Sequence, residues 1–273
     1  MIRGHYSASG VVGLVLLILI VTSMVLAPLL TPYDPLGMDA EDQLLAPSLA
    51  HPFGTDLFGR DVLTRVMYGA RISLSIGVLA ALFAALPGLV LGLLSGYYGG
   101  WFDRVVMRLT DLALSFPSLI LALGIVAILS PGLVNVTIAV GIAGIGGYVR
   151  VVRGSVLGVK EALYVEAAQA IGCRDRRIIW RHILPNISGA VLVLVTMDVA
   201  WAILRATSLS FLGLGAQPPT PEWGAMIDEG RELLRRAPWV SLAPSAVMML
   251  AVLSLNLVGD ALRDALDPHT GSP

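Results

Sequence analysis

Residues 72–94 read ISLSIGVLAALFAALPGLVLGLL and contain no ionisable side chain. About 20 helical residues rise some 30 Å, the thickness of a bilayer's hydrocarbon core, so this run is long enough to cross a membrane. A barrel strand would need only about 10 residues and would alternate apolar with polar; this stretch does neither. In lipid the backbone must satisfy its own hydrogen bonds, and a helix does so within the segment. Ala80, Ala84, Gly88 and Gly92, with Gly96 just beyond, fall at four-residue spacing. They share one helix face, and a stripe of small residues lets a second backbone approach closely. The stripe predicts a tight helix neighbour, in this chain or another. Pro87 lies inside the run and is a candidate kink.

Five further apolar stretches flank this one: Val11–Leu30, Leu109–Leu129, Val134–Val152, Ile187–Leu209 and Val240–Val258. Composition agrees with them. Of 273 residues, 56% are hydrophobic and 14% charged, against about 25% charged in soluble domains. The expected fold is all-α, a polytopic membrane protein of six transmembrane helices with a cytoplasmic loop. Residues 1–71 read as an N-terminal helix plus an external segment, and residues 72–273 as a core bundle carrying the loop 150–186. The first stretch ends Ala27-Pro28-Leu29-Leu30, a poor cleavage context for a signal peptide, so it is expected to be retained. Ala139, Ala143 and Gly147 repeat the small-residue spacing in the fourth span.

Net charge is −1, which lacks the basic field of a nucleic-acid binder. One cysteine, Cys173, allows no disulfide within the chain, and the histidines at 5, 51, 182 and 269 are scattered. With the N-terminus inside, eleven Lys and Arg fall in inner segments, from Arg3 to Arg263, and six in outer ones, with Arg205 within a span. The bias places both termini in the cytoplasm. Two outer segments are long: Thr31–Arg71 and Phe211–Pro238. Within the second, Glu222–Arg236 reads as a short helix lying at the membrane surface.

Asp198 sits mid-way along the fifth span and Arg205 two turns later on roughly the same face. A lone charge at mid-bilayer costs at least about 2.5 kcal/mol, so both should avoid lipid. They either line or gate a solute route, or are held statically, as a pair or by separate partners, within or between subunits; Arg205 can also reach toward the outer surface. Asp111 reads as an interfacial residue near the inner end of the third span. No chain of acidic and histidine side chains crosses the membrane as a proton relay would, and no serine-histidine, metal-protease or paired-aspartate constellation marks an intramembrane enzyme.

The inner loop from Arg150 to Asn186 reads RVVRGSVLGVKEALYVEAAQAIGCRDRRIIWRHILPN. Helical periodicity runs from Lys160 to Ile171, Gly172 is a stop, and a second helical run, Asp175–Leu184, is expected to end at Pro185. Two short helices joined at a glycine make a handle for a partner. The same basic, amphipathic pattern also suits a segment resting on lipid headgroups.

At this point the sequence resembles the permease subunits of bacterial ATP-binding-cassette importers, the binding-protein-dependent type, and within them the second permease of the dipeptide/oligopeptide/nickel group. The resemblance rests on EAAQAIGCRDRRIIWRHILPN, Glu166 to Asn186, with His182 where the wider family has Ile. It is similar also in HPFGTDLFGRDVLTRVMYGARISL (51–74), LSFLGLGAQPPTPEWGAMI (209–227) and NLVGDALRDALDP (256–268). It implies that Glu166, Ala167, Ala168 and Gly172 form a coupling helix seated on an ATPase subunit. The implied partners are a homologous permease, two ATPase subunits holding ATP and Mg, and an external solute-binding protein, with a peptide as solute and membrane lipid around. Nickel or glutathione import is the alternative within this architecture; an intramembrane enzyme or a structural membrane protein is the alternative outside it. The chain has no GxxxxGK[ST] phosphate loop and is expected to bind no cofactor itself.

Overall fold

The computed structural model describes residues 8–266; Arg3, His5, His269 and the close of the C-terminal motif at Asp267 and Pro268 lie outside the described residues. Ten α-helices follow in chain order: α1 (Ala8–Leu30), α2 (Val62–Tyr98), α3 (Gly100–Leu114), α4 (Ser118–Leu129), α5 (Leu133–Lys160), α6 (Leu163–Ala170), α7 (Asp175–Ile178), α8 (Leu184–Phe211), α9 (Trp223–Gly230) and α10 (Trp239–Leu266). Among the described residues, α1, α2, α5, α8 with its preceding arm, and α10 are each long and apolar enough to cross a membrane, and the bent pair α3–α4 supplies a sixth passage.

The small-residue stripe on α2 faces α5 of the same chain. A Cβ placed on Gly92 would lie 2.8 Å from both the Val149 carbonyl oxygen and Val152 Cβ, and one on Gly96 would lie 2.8 Å from Val156 Cβ. Both distances are shorter than van der Waals contact, so only glycine permits this approach. The contacts advance together along both helices, so α2 and α5 run parallel. Ala139 and Ala143 of the second stripe are buried, whereas Gly147 meets no neighbour. Pro87 does not interrupt α2.

Three boundaries depart from the sequence reading. Helix α2 starts ten residues early, at Val62, because Asp61 caps it by accepting from the Thr64 amide at 2.7 Å. The third span breaks by 92° at Ser115–Pro117. The residue before a proline is steered away from the α region, and proline cannot donate to the preceding turn. Helix α4 alone rises only about 18 Å, yet the chain regains the outer end, where the Gly132 amide donates to the Leu214 carbonyl at 2.9 Å. Finally, Pro185 does not end the second inner run. A π-turn at Ile179–Ile183 widens the helix just before the proline, and α7 continues through it into α8 as one path from Asp175 to Phe211.

The outer segments form a cap. Arg60 and Arg65, each 1% exposed, share Asp56 and Glu229: Arg60 Nε lies 2.6 Å from Asp56 Oδ2, and the two Nη2 atoms lie 2.9 and 3.2 Å from Glu229 Oε2. Glu222 caps α9 through the Gly224 and Ala225 amides, and Trp223 donates to the Val66 carbonyl at 3.1 Å. With Trp223 fully buried, α9 is packed into the cap rather than laid on the membrane surface. Helix α10 begins here too, its Trp239 indole donating to the Thr55 carbonyl at 3.0 Å, and runs inward. Helix α1 lies antiparallel to it, with Gly13 against Leu257 and Met24 near the outer end, where the Met24 carbonyl accepts from Arg71 Nε at 3.0 Å. The described starts of α1 and α7 and the ends of α2, α5 and α10 therefore all lie at one end of the bundle.

Candidate functional site

At that end of the bundle the chain forms an elbow. Helix α5 stops at Lys160, α6 runs back as two turns, and Gly172 at φ +79° reverses the path into α7. Positive φ is strained for a residue with a Cβ, which accounts for glycine here. Val165 and Ala168 point into the bundle, against Val152 and Val156 of α5, and Ile178, Ile179 and Ile183 of the second arm. Ala168 is therefore 5% exposed; it fastens α6 to the bundle instead of presenting itself outward beside Ala167. Glu166, Ala167 and Gly172 remain on the outer surface. Leu163 and Ile171 flank them at 82% and 80% exposure.

Two hydrogen bonds hold the elbow to α2. Tyr97 donates its hydroxyl to Asp175 Oδ1 at 2.8 Å, and Lys160 Nζ donates to the Tyr97 carbonyl at 2.7 Å. Beside them, Arg153 donates through Nε and Nη2 to both oxygens of Asp103 at 2.6 Å each, and Ser95 donates to the same carboxylate. Asp111 is in the last turn of α3, paired at the surface with Arg150 at 2.6 Å. Residues on four helices, α2, α3, α5 and α7, thus meet around the elbow's base. Their separations in sequence, 78 residues for Tyr97 and Asp175, left no local signal to find them by.

The second region lies mid-way along α8. Asp198 and Arg205 pair with each other within the chain. Asp198 Oδ2 also accepts from the Tyr148 hydroxyl of α5 at 3.2 Å, and Arg205 Nε donates to the Trp201 carbonyl at 3.2 Å. Gly144 of α5 lies opposite them, where a Cβ would sit 3.8 Å from Asp198 Oδ2 and 3.0 Å from Ala84 Cβ of α2. The pair borders a hollow of about 360 Å³ lined by Ser118, Leu119, Trp201, Leu204 and Ser208.

The sequence matches the family described as binding-protein-dependent transport system inner membrane component over residues 88–272, and the N-terminal TM domain of oligopeptide transport permease C over residues 8–47. Among relatives, a dipeptide transport system permease protein of Alkalihalophilus pseudofirmus is 45% identical over 263 residues, 96% of this chain and 86% of that protein. A glutathione transport system permease protein of Pectobacterium atrosepticum is 45% identical over 272 residues, 99% of this chain and 89% of its own length. Its counterpart in Escherichia coli O157:H7 is 46% identical over 267 residues, covering 97% and 87%.

Proposed function

Since this chain belongs to the family of binding-protein-dependent transport system inner membrane components, we propose that it is one permease subunit of an ATP-driven importer for dipeptides or oligopeptides, with glutathione the solute of the second reading. Both solutes are short peptides, and near-equal identity to dipeptide and glutathione permeases keeps both readings. The elbow end is the cytoplasmic one, in line with the excess of Lys and Arg there, so both termini are cytoplasmic. Partners are a homologous permease, two ATPase subunits carrying ATP and Mg, and a receptor that delivers solute to the outer cap.

The observation that carries this reading is the elbow. Its outward face is apolar and uncovered, flanking Glu166, Ala167 and Gly172, while its inward face is fixed by Val165 and Ala168. A surface of that kind calls for a protein partner, and Ala168 contributes by setting how closely α6 sits on the bundle. The second arm is continuous with α8 over 37 residues, about 55 Å of helix. Closure of the ATPases would move α6 and, through this lever, α8 across the membrane. Import then follows as a shift between two packings of the bundle, biased by ATP at one end.

Co-purification with ATPase subunits of the same source, followed by ATP-driven uptake of labelled dipeptide and of labelled glutathione in proteoliposomes, tests the reading. Retention of two ATPases and uptake of either solute is the expected result. A complex without ATPases, or no ATP-dependent uptake of either, overturns it.

A further inference from the structure

We propose that Asp198 and Arg205 form a site for zwitterionic solutes on the transport route, each charge exchanging its partner within the chain for one end of a passing peptide. The solute's ammonium would take the place of Arg205 on Asp198, and its carboxylate the place of Asp198 on Arg205. The proposal rests on the transport reading above and deepens it.

Depth is the first argument. Asp198 is near the middle of α8, where ionisable side chains face a bundle interior or a water-filled cavity rather than lipid. Here the pair opens on a hollow whose remaining wall includes two hydroxyls, from Ser118 and Ser208, and the Trp201 indole, itself well exposed. Small-solute pockets run from about 300 Å³ upward, with an apolar lining and a few convergent polar groups; this one, at about 360 Å³, fits that description.

The bonding around the pair is the second argument. Each member keeps a second contact that the exchange leaves intact: Tyr148 on Asp198 Oδ2, and the Trp201 carbonyl on Arg205 Nε. The atoms the two residues spend on each other, Asp198 Oδ1 and Arg205 Nη2, are those a solute would take. Opening the pair toward a zwitterion therefore strands neither charge, whereas a singly charged solute would leave one bare at membrane depth and a neutral solute both, at the cost given by mid-bilayer charge burial. The arrangement favours a solute bearing one cation and one carboxylate, as a peptide with free ends does. It disfavours the same peptide acetylated at its amino end or amidated at its carboxyl end. Guanidinium matches carboxylate in a two-pronged way that ammonium does not, which suits Arg at position 205.

The test uses the full complex in proteoliposomes with its receptor, comparing uptake of a free dipeptide with its N-acetylated and C-amidated forms. The receptor's own selectivity is common to all variants, so a change in ratio belongs to this chain. With the complex assembled, Asp198→Asn should lower free-dipeptide uptake at least tenfold and bring the free-to-acetylated ratio at least threefold closer to one. Unchanged ratios overturn the proposal and leave a static pair. Should neutral variants fail to assemble, Arg205→Lys retains the charge without the two-pronged contact. It should move the free-to-amidated ratio at least threefold, and an unmoved ratio overturns the proposal. An unmodified complex that takes up no peptide with ATP overturns the transport reading itself.

Discussion

Tyr97 and Asp175 are joined by a single 2.8 Å hydrogen bond that fastens the inner end of α2 to the first turn of α7. The bond crosses from the helix bearing the small-residue stripe to the arm that continues into α8. Two membrane-crossing elements are thus tied at the elbow's base by one hydroxyl.

Tyr97→Phe removes that hydroxyl and little else, because the ring stays packed beside Leu93 and Val156. A hydrogen bond to a carboxylate contributes about 1.5–3 kcal/mol net, at the low end here because Asp175 is exposed, so thermal stability in detergent should fall by only a few degrees. Transport should suffer more, since the arm can then move without carrying α2. The expected outcome is at least a threefold drop in solute imported per ATP hydrolysed, measured in proteoliposomes. An unchanged ratio would show that the apolar contacts alone couple the two.

Gly92→Val should be among the most damaging single changes in the bundle. Its Cβ would fall 2.8 Å from a carbonyl oxygen and from Val152 Cβ, and neither is the free end of a flexible chain. Overpacking of this kind costs about 1–3 kcal/mol, and here it also separates α2 from α5. Gly154→Ala, on the same α5 but with nothing within 4 Å of the added atom, should be neutral or gain about 0.5 kcal/mol through helix propensity. Thermal unfolding of the two purified variants side by side checks the contrast.

The outer cap depends on Glu229, the one carboxylate among the described residues that bonds the Nη2 atoms of both Arg60 and Arg65. Removing one partner of a buried charge set costs about 3–5 kcal/mol when the remaining charge stays uncompensated. Asp56 still faces both arginines, which places Glu229→Gln at the lower end, about 3 kcal/mol. Protease cleavage within residues 31–61 should become faster, while Glu232→Gln, an exposed neighbour, leaves it unchanged.

Much of this architecture is legible in the sequence, and the reasons differ by element. The spans can be read because lipid imposes a length and a composition that few other environments do. The α2 stripe can be read because helix geometry turns four-residue spacing into a face. Gly172 can be read because a turn needs a residue free to adopt positive φ. What could not be read depends on where separate segments meet. Nothing local pairs Tyr148 with Asp198, or Glu229 with Arg60 across 169 positions. Pro117 and Pro185 show opposite outcomes from the same residue type: one proline bends its span, while the other is absorbed by a π-turn. Ala168 illustrates a finer limit. Motif spacing marks it beside Ala167, but only the packing of α6 shows the two facing opposite ways.

Substitutions at Gly172 separate backbone conformation from docking. The residue sits at φ +79° with open space around it. Gly172→Asn can adopt the left-handed conformation through its short polar side chain, so the elbow should keep its shape. Gly172→Val cannot do so cheaply and should cost about 1–2 kcal/mol locally, loosening α6 from α7. Gly172→Trp adds bulk where the proposed partner sits, on a surface with no neighbour among the described residues, and should leave the chain in the membrane while weakening attachment of the ATPases at least tenfold. Co-purified ATPase per permease measures the series, with Asn retaining most of it, Val intermediate and Trp lowest. Equal retention across all three would place the partner elsewhere, and the face formed by Leu163, Glu166, Ala167 and Ile171 would then have to meet lipid headgroups instead.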